Sequence, residues 1–110
     1  MLCIQYKIVN NLTQDLLKSK YKGKTNKFEG HCYIATETLY HLWGKKNGYK
    51  PYYIRLKNKV HWFLKKNNHI IDLTKNQFNF KLDYKNATCC GFLTKNPSKR
   101  SKKLISKIKL

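Results

Sequence analysis

The sequence predicts an α+β fold: a small antiparallel sheet packed against a central helix that begins at Cys32, with further helices towards both ends. Three observations carry that prediction. The stretch CYIATETLYHLW puts Cys32, Ala35, Thr36, Leu39 and Trp43 on one helical stripe. Downstream, PYYIRL, VHWFLK and HIIDLT are rich in β-branched and aromatic residues and are separated by short polar turns. Near the end, Asn96 and Pro97 precede SKRSKKLISKIKL, whose Leu104, Ile105 and Ile108 recur at helical spacing.

Taken in order, residues 2–9, LCIQYKIV, read as a strand on composition. NLTQDLLKSKY then reads as a helix through Leu12, Leu16 and Leu17, with Asn11 or Thr13 as its N-cap. KGKTNKFEG is a basic loop bounded by glycines, and it leads into the central helix over 32–43. Gly44 stands where a left-handed C-cap is expected. After the turn KKNGYK, three strands follow, the last two joined through Lys66, Asn67 and Asn68 as a hairpin. QFNFKLDY is a further strand or an irregular edge, and CCGFLT is short and glycine-centred. Asn96 and Pro97 read as N-cap and first-turn proline of a basic helix at about 97–110. With no internal repeat and no long linker, residues 1–110 form a single domain.

A hydrophobic fraction of 41% and an aromatic fraction of 14% exclude a disordered chain. No apolar run reaches the roughly 20 residues that span a bilayer, so no membrane partner is expected. The opening MLCIQYKIVNN lacks a secretory pattern, and two of the four cysteines, Cys89 and Cys90, are adjacent. Free thiols in a reducing cytoplasm fit that better than a disulfide framework. Lys and Arg number 24 against 5 Asp and Glu, a formal net charge of +19. Such a field attracts polyanions, nucleic acid or a nucleoprotein complex among them. Composition drift in an AT-rich genome is the competing account. Arg55 and Arg100 are the only arginines, and asparagine and isoleucine are plentiful, but drift does not explain the scarcity of glutamate.

Hairpin register makes the sharpest chemical statement. A two-residue loop places His61 opposite Asp72 if Lys65 pairs with Asn68, or diagonal to it if Lys66 pairs with His69. In both cases His61, Phe63, Ile70 and Asp72 share one face, while Trp62, Leu64, Ile71 and Leu73 share the other. A three-residue loop would separate them. A carboxylate beside an imidazole is an orienting pair for a base. Cys32, at a helix mouth, adds a thiol where unpaired N–H groups favour its anion, and its own N–H is a candidate oxyanion donor.

Simpler roles stand beside these. Cys32 continues an apolar stripe and is explained as a packed side chain, and His61 as a core histidine satisfied by Asp72. Zinc held by Cys32, His61 and Cys89 or Cys90 is weaker, since no C-x-x-C pair is present, so neither a metal nor a cofactor is expected. Gln77, Glu37 and His31 are candidates for substrate or oxyanion support, pairing with a lysine being the simpler role for Glu37. Lys99, Arg100, Lys102, Lys103 and Lys107 on the terminal helix, with Tyr49, Tyr52 and Tyr53 near lysines, are the candidates for nucleic-acid binding. Solvation of a helix face and packing in the sheet are their plainer explanations.

The residues HWFLKKNNHIIDLT, following a cysteine that opens a helix, resemble the histidine-strand and aspartate-strand signature of transglutaminase-like and papain-like thiol enzymes. The blocks GHCYIATE, YHLWG, HWFL, IDLT with QF, GFLT and PSKR also resemble a family of small phage and bacterial proteins of mostly unassigned function, over about residues 30–100. The interval from Cys32 to His61 is shorter than in either enzyme superfamily, and no glutamine precedes Cys32 at the papain-like spacing. The resemblance implies a minimal papain-like or transglutaminase-like core with Cys32 as nucleophile, His61 as general base and Asp72 as its orienter. It implies a small hydrolase or acyl-transfer enzyme of phage or viral origin, acting on an amide, ester or isopeptide bond of a protein or peptide-like substrate. The alternative is a basic, non-catalytic protein that docks on nucleic acid or nucleoprotein.

Overall fold

The computed structural model describes residues 2–12, 31–56, 59–74, 82–90 and 96–108. Among them are three α-helices, α1 (Leu2–Asn10), α2 (Cys32–Leu39) and α3 (Lys99–Ile108). The four strands are β1 (Lys50–Leu56), β2 (Lys59–Lys66), β3 (His69–Ile71) and β4 (Thr88–Cys89), in the antiparallel order β3-β2-β1-β4. The α+β class is therefore as the sequence implied. The helix expected from Leu12 to Leu17, the loop after it, Gln77 and the GFLT block lie outside the described residues.

The strand expected over residues 2–9 is a helix instead. Period two would bury Ile4, Tyr6 and Ile8 together, but Tyr6 is 72% exposed while Ile8 and Leu12 are buried. The operative spacing is Ile4, Ile8, Leu12, which lays one face of α1 on the core. Burial against the other helices overrides the β preference of isoleucine and valine.

Helix α2 is buried except at Tyr33, which is half-buried: Ile34, Ala35, Glu37 and Thr38 have no exposed surface, and Leu39 almost none. On its sheet side it packs with Leu64 of β2 and Ile71 of β3, and Ile8, Leu104 and Ile108 complete that core. The opposite face of the sheet carries a second, smaller core of Ile54, Phe63 and Leu82. Strand alternation separates the two: Leu64 and Ile71 point one way, Phe63 and Ile70 the other.

The helical path does not stop at Gly44. It passes through a π-helical turn (Tyr40–Gly44) and a 3-10 turn (Lys45–Asn47), and the left-handed residue is Gly48, with φ 82°. Gly44 is itself helical, with φ −62°. Its lack of a side chain serves close approach rather than capping, since a Cβ there would lie 2.9 Å from Leu64 Cδ1.

Helix α3 starts two residues later than Asn96 suggested. Ser98 is its cap: the Ser101 N–H reaches Ser98 Oγ at 3.3 Å, and the Lys102 N–H reaches the Ser98 carbonyl at 2.9 Å. Its inward face is Ser101, Leu104 and Ile108, with Ile105 half-buried. The hydroxyls of Thr38 and Ser101 meet at 2.8 Å, so the contact between α2 and α3 is partly polar.

Candidate active site

The turn between β2 and β3 has two residues, with Lys66 paired to His69 and Asn67 at φ 53°. This is the diagonal alternative of the hairpin registers. β3 ends at Ile71, and the chain turns through Leu73 and Thr74, so Asp72 hangs from the end of a strand rather than inside one. From there its Oδ2 meets His61 Nε2 at 2.6 Å. The Thr74 N–H donates to Oδ1 at 3.2 Å, an Asx-type turn that fixes the carboxylate.

The early end of β3 also admits α2. The last β2–β3 pair is Leu64 with Ile71. Beyond it, the Thr36 hydroxyl donates to the Trp62 carbonyl at 3.1 Å and the Cys32 thiol to the Val60 carbonyl at 3.5 Å. The first turns of the helix thus stand in for a missing strand. Tyr33 and Trp62, the residues after Cys32 and His61, meet edge to face with ring centres 5.2 Å apart and fasten that turn to β2.

This places Cys32 beside His61. Burial of the imidazole opposes its protonation, but its hydrogen bonds to Asp72 and Cys32, with the charge of the Asp72 carboxylate, outweigh burial and push its pKa up from 6.5 to about 9. His61 has no exposed surface, and Cys32 is 8% exposed. Cys32 is the first residue of α2, whose initial N–H groups have no partner within the helix. The three residues singled out in the sequence, Cys32, His61 and Asp72, are therefore brought together.

The supporting residues fare differently. His31 is buried immediately before Cys32, and its carbonyl takes the first α2 hydrogen bond, from the Ala35 N–H at 2.9 Å. Glu37, expected near a substrate or a lysine, has a different partner. It is turned to α3, where Ser98 Oγ donates to its Oε1 at 2.6 Å. A carboxylate there lies at the positive end of the α3 dipole, which explains its place in a buried helix. Gln77 lies outside the described residues. On α3, Lys99, Lys102 and Lys103 are exposed, and Arg100 and Lys107 half-buried.

Tyr84 escaped the sequence reading. It opens a short 3-10 turn (Tyr84–Asn86), and its hydroxyl donates to Asp72 Oδ2 at 2.8 Å. Burial first, then the charge and hydrogen bond of Asp72, push its phenol far above the ordinary range, so it stays protonated as a donor. Its ring packs against Phe63 at 4.9 Å. A lone tyrosine in KLDYKNAT carries no periodic signal, and tertiary contacts bring this segment to the site: the β1–β4 pairing and Leu82 packed with Ile54 and Phe63.

Cys89 pairs with Tyr52 of β1, and the sulfurs of Cys89 and Cys90 lie against each other, whereas Cys3 and Cys32 are free. Among the described residues, no group of three or more His, Cys, Asp or Glu side chains is arranged to hold a metal ion, and no helix is long and apolar enough to cross a membrane. Compared with protein-family models, curated proteins and solved structures, the chain matches none.

Proposed function

We propose that the protein is a small cysteine-dependent hydrolase or acyl-transfer enzyme, with the chemistry of the papain-like and transglutaminase-like enzymes on a minimal core. The observation that carries this reading is one imidazole hydrogen-bonded to both a carboxylate and a thiol at the mouth of a helix. Asp72 occupies Nε2 of His61, which leaves Nδ1 to exchange a proton with Cys32.

In the proposed reaction the Cys32 sulfur, having given its proton to His61, attacks the carbonyl carbon of an amide, ester or isopeptide bond. The carbonyl oxygen becomes an oxyanion, received by the Cys32 N–H. As the tetrahedral intermediate collapses, His61 delivers its proton to the departing nitrogen or oxygen, leaving a thioester. Water or an amine then gives a proton to His61 and attacks the thioester, and that proton returns to the sulfur on release. Asp72 holds the ring and balances its positive charge throughout. The proposed substrate class is a protein or peptide-like carbonyl compound.

The test is the alkylation rate of Cys32 by iodoacetamide against pH, followed by mass spectrometry of the Cys32 peptide because Cys3 is also free. Rapid alkylation at neutral pH, abolished by His61→Ala while the fold persists, is the expected result. A Cys32 that alkylates no faster than a denatured-state thiol at pH 7 would reduce the cluster to core packing.

A further inference from the structure

The aromatic residues that follow Cys32 and His61 belong to a larger patch on one face of the sheet. Tyr53 of β1 is the direct partner of Trp62 on β2, and Arg55 is that of Val60. Strand alternation puts Tyr53, Arg55, Val60 and Trp62 on the face that carries Leu64 and α2. Trp62 meets Tyr33 with ring centres 5.2 Å apart and Tyr53 with centres 5.1 Å apart. The three rings and Val60 are half-buried, and Arg55 is exposed.

Arg55 gives this patch a hydrogen-bonding fork. Its guanidinium lies over the Tyr53 ring, 5.5 Å from the centre, a stack that uses the flat side of the group and leaves its in-plane N–H donors open. No acid among the described residues pairs with it. Glu37 is held by Ser98, Asp72 by His61, Thr74 and Tyr84, and Asp83 accepts from the Lys85 N–H and the Asn86 amide. The patch adjoins the thiol. Cys32 meets the Val60 carbonyl at 3.5 Å on the edge of β2 that β3 leaves, and Arg55 pairs with Val60 from the opposite side. Two strand spacings, about 10 Å, therefore separate the sulfur from the Arg55 backbone. That is roughly the reach of two extended residues and a side chain.

We propose that Arg55, with Tyr53, Trp62 and Tyr33, is a substrate subsite beside the thiol. It takes a carboxylate carried on a peptide about two residues from the reacting carbonyl, with an apolar side chain lying over Trp62 between them. The inference rests on the reading of Cys32 as nucleophile and adds the charge of the substrate and where that charge sits. A single guanidinium is matched by a single carboxylate, planar and bidentate. The other described cation on this face of β1 and β2, Lys66, stands at the far end of β2, about 20 Å from Val60. A nucleic acid would need a row of cations for successive phosphates and open ring faces for its bases. Here the rings lie across one another, at 89° for Tyr33 with Trp62 and 44° for Tyr53 with Trp62, and Arg55 covers one face of Tyr53. They make an uneven apolar surface that suits a side chain better than a stacked base.

The test compares two labels that differ by one charge, iodoacetyl-Phe-Glu-amide and iodoacetyl-Phe-Gln-amide. Alkylation is followed by mass spectrometry at Cys32 and at Cys3, the exposed free thiol. The net charge of +19 draws the anionic label to both cysteines, so Cys3 measures that general attraction. After this correction the glutamate label should react with Cys32 at least about fivefold faster than the glutamine label. Arg55→Gln should bring the ratio to about one. Arg55→Lys, which keeps the charge without the fork, should restore less than half of it, and full restoration would overturn the role of the fork. Equal ratios at Cys32 and Cys3 in wild type would overturn the subsite. A second readout does not depend on thiol chemistry. In NMR titrations acetyl-Phe-Glu-amide should shift the Trp62 indole and Arg55 Nε–H signals, at concentrations at least about fivefold lower than acetyl-Phe-Gln-amide. If those shifts occur while Cys32 is inert to iodoacetamide, the nucleophile reading fails and the carboxylate site stands. A reactive Cys32 without the shifts keeps the nucleophile and removes the site. Saturation of the same signals at lower concentration by thymidine 5′-monophosphate than by the glutamate peptide would assign the surface to nucleotides and overturn the proposal.

Discussion

Tyr84 and His61 meet at a single atom: Asp72 Oδ2 accepts the phenolic hydrogen of one at 2.8 Å and faces Nε2 of the other at 2.6 Å. The tyrosine thereby holds the carboxylate in place and draws off part of its charge. Tyr84→Phe keeps the ring against Phe63 and removes only the donor. The expected result is a loss of about 1 kcal/mol in urea unfolding. The His61 imidazole, titrated by NMR, should also become more basic, since Asp72 no longer shares its charge. A lower His61 pKa in that variant would mean that the tyrosine does not act through Oδ2.

Stability should depend on pH through His61. Its folded pKa, about 9, lies above the ordinary 6.5, so folding favours the protonated ring. The stabilisation is fully present below about pH 6.5 and is lost as pH rises through about 9. The thermal midpoint should fall across that window by an amount corresponding to a few kcal/mol. Asp72→Asn should flatten the fall. A wild-type midpoint that is level or rising over the same range would contradict the assignment.

Gly44 packs where a methyl group does not fit. Gly44→Ala gains helix propensity of up to about 1 kcal/mol but drives a Cβ into Leu64, which is fully buried. Overpacking should prevail, with a net loss of about 1–2 kcal/mol in chemical denaturation. The loss should shrink in a Leu64→Val background, where that δ-carbon is absent. A double-mutant cycle with no coupling would show that the contact is not the constraint.

Ser98 performs two tasks with one oxygen: it accepts the Ser101 N–H at 3.3 Å and donates to Glu37 at 2.6 Å. Among the described residues, Glu37 Oε2 is buried with no hydrogen-bond partner, and Ser98 is the donor to the other oxygen of the carboxylate. Ser98→Ala should therefore cost more than a lost cap alone, about 2–3 kcal/mol. Glu37→Gln keeps an acceptor for Ser98 and should cost less. If the order of those two losses is reversed, the carboxylate charge matters more than the serine.

The hairpin was legible because its signals agree. Asn67 tolerates a positive φ, the loop is short, and strand alternation then places His61 and Asp72 together whichever two-residue register forms. Helix α2 was legible because its stripe is long. Residues 2–9 misled because isoleucine and valine suit a strand, while the deciding fact, burial of Ile8 and Leu12 beside Leu104, is tertiary. Tyr84 and Ser98 were invisible for a related reason. Their partners Asp72 and Glu37 are distant in sequence, and no spacing rule links them.

A sheet edge left open is an invitation to other chains, because unpaired carbonyls and amides recruit a new strand. Here β3 stops at Ile71, and the edge of β2 beyond it is covered by Thr36 and Cys32. A group added at the sulfur needs room that the first turn of α2 now fills where Cys32 meets the Val60 carbonyl. Oxidation or prolonged acylation of Cys32 would thus loosen the first turn of α2 and uncover an edge suited to intermolecular pairing. A thiol left modified becomes a route to aggregation.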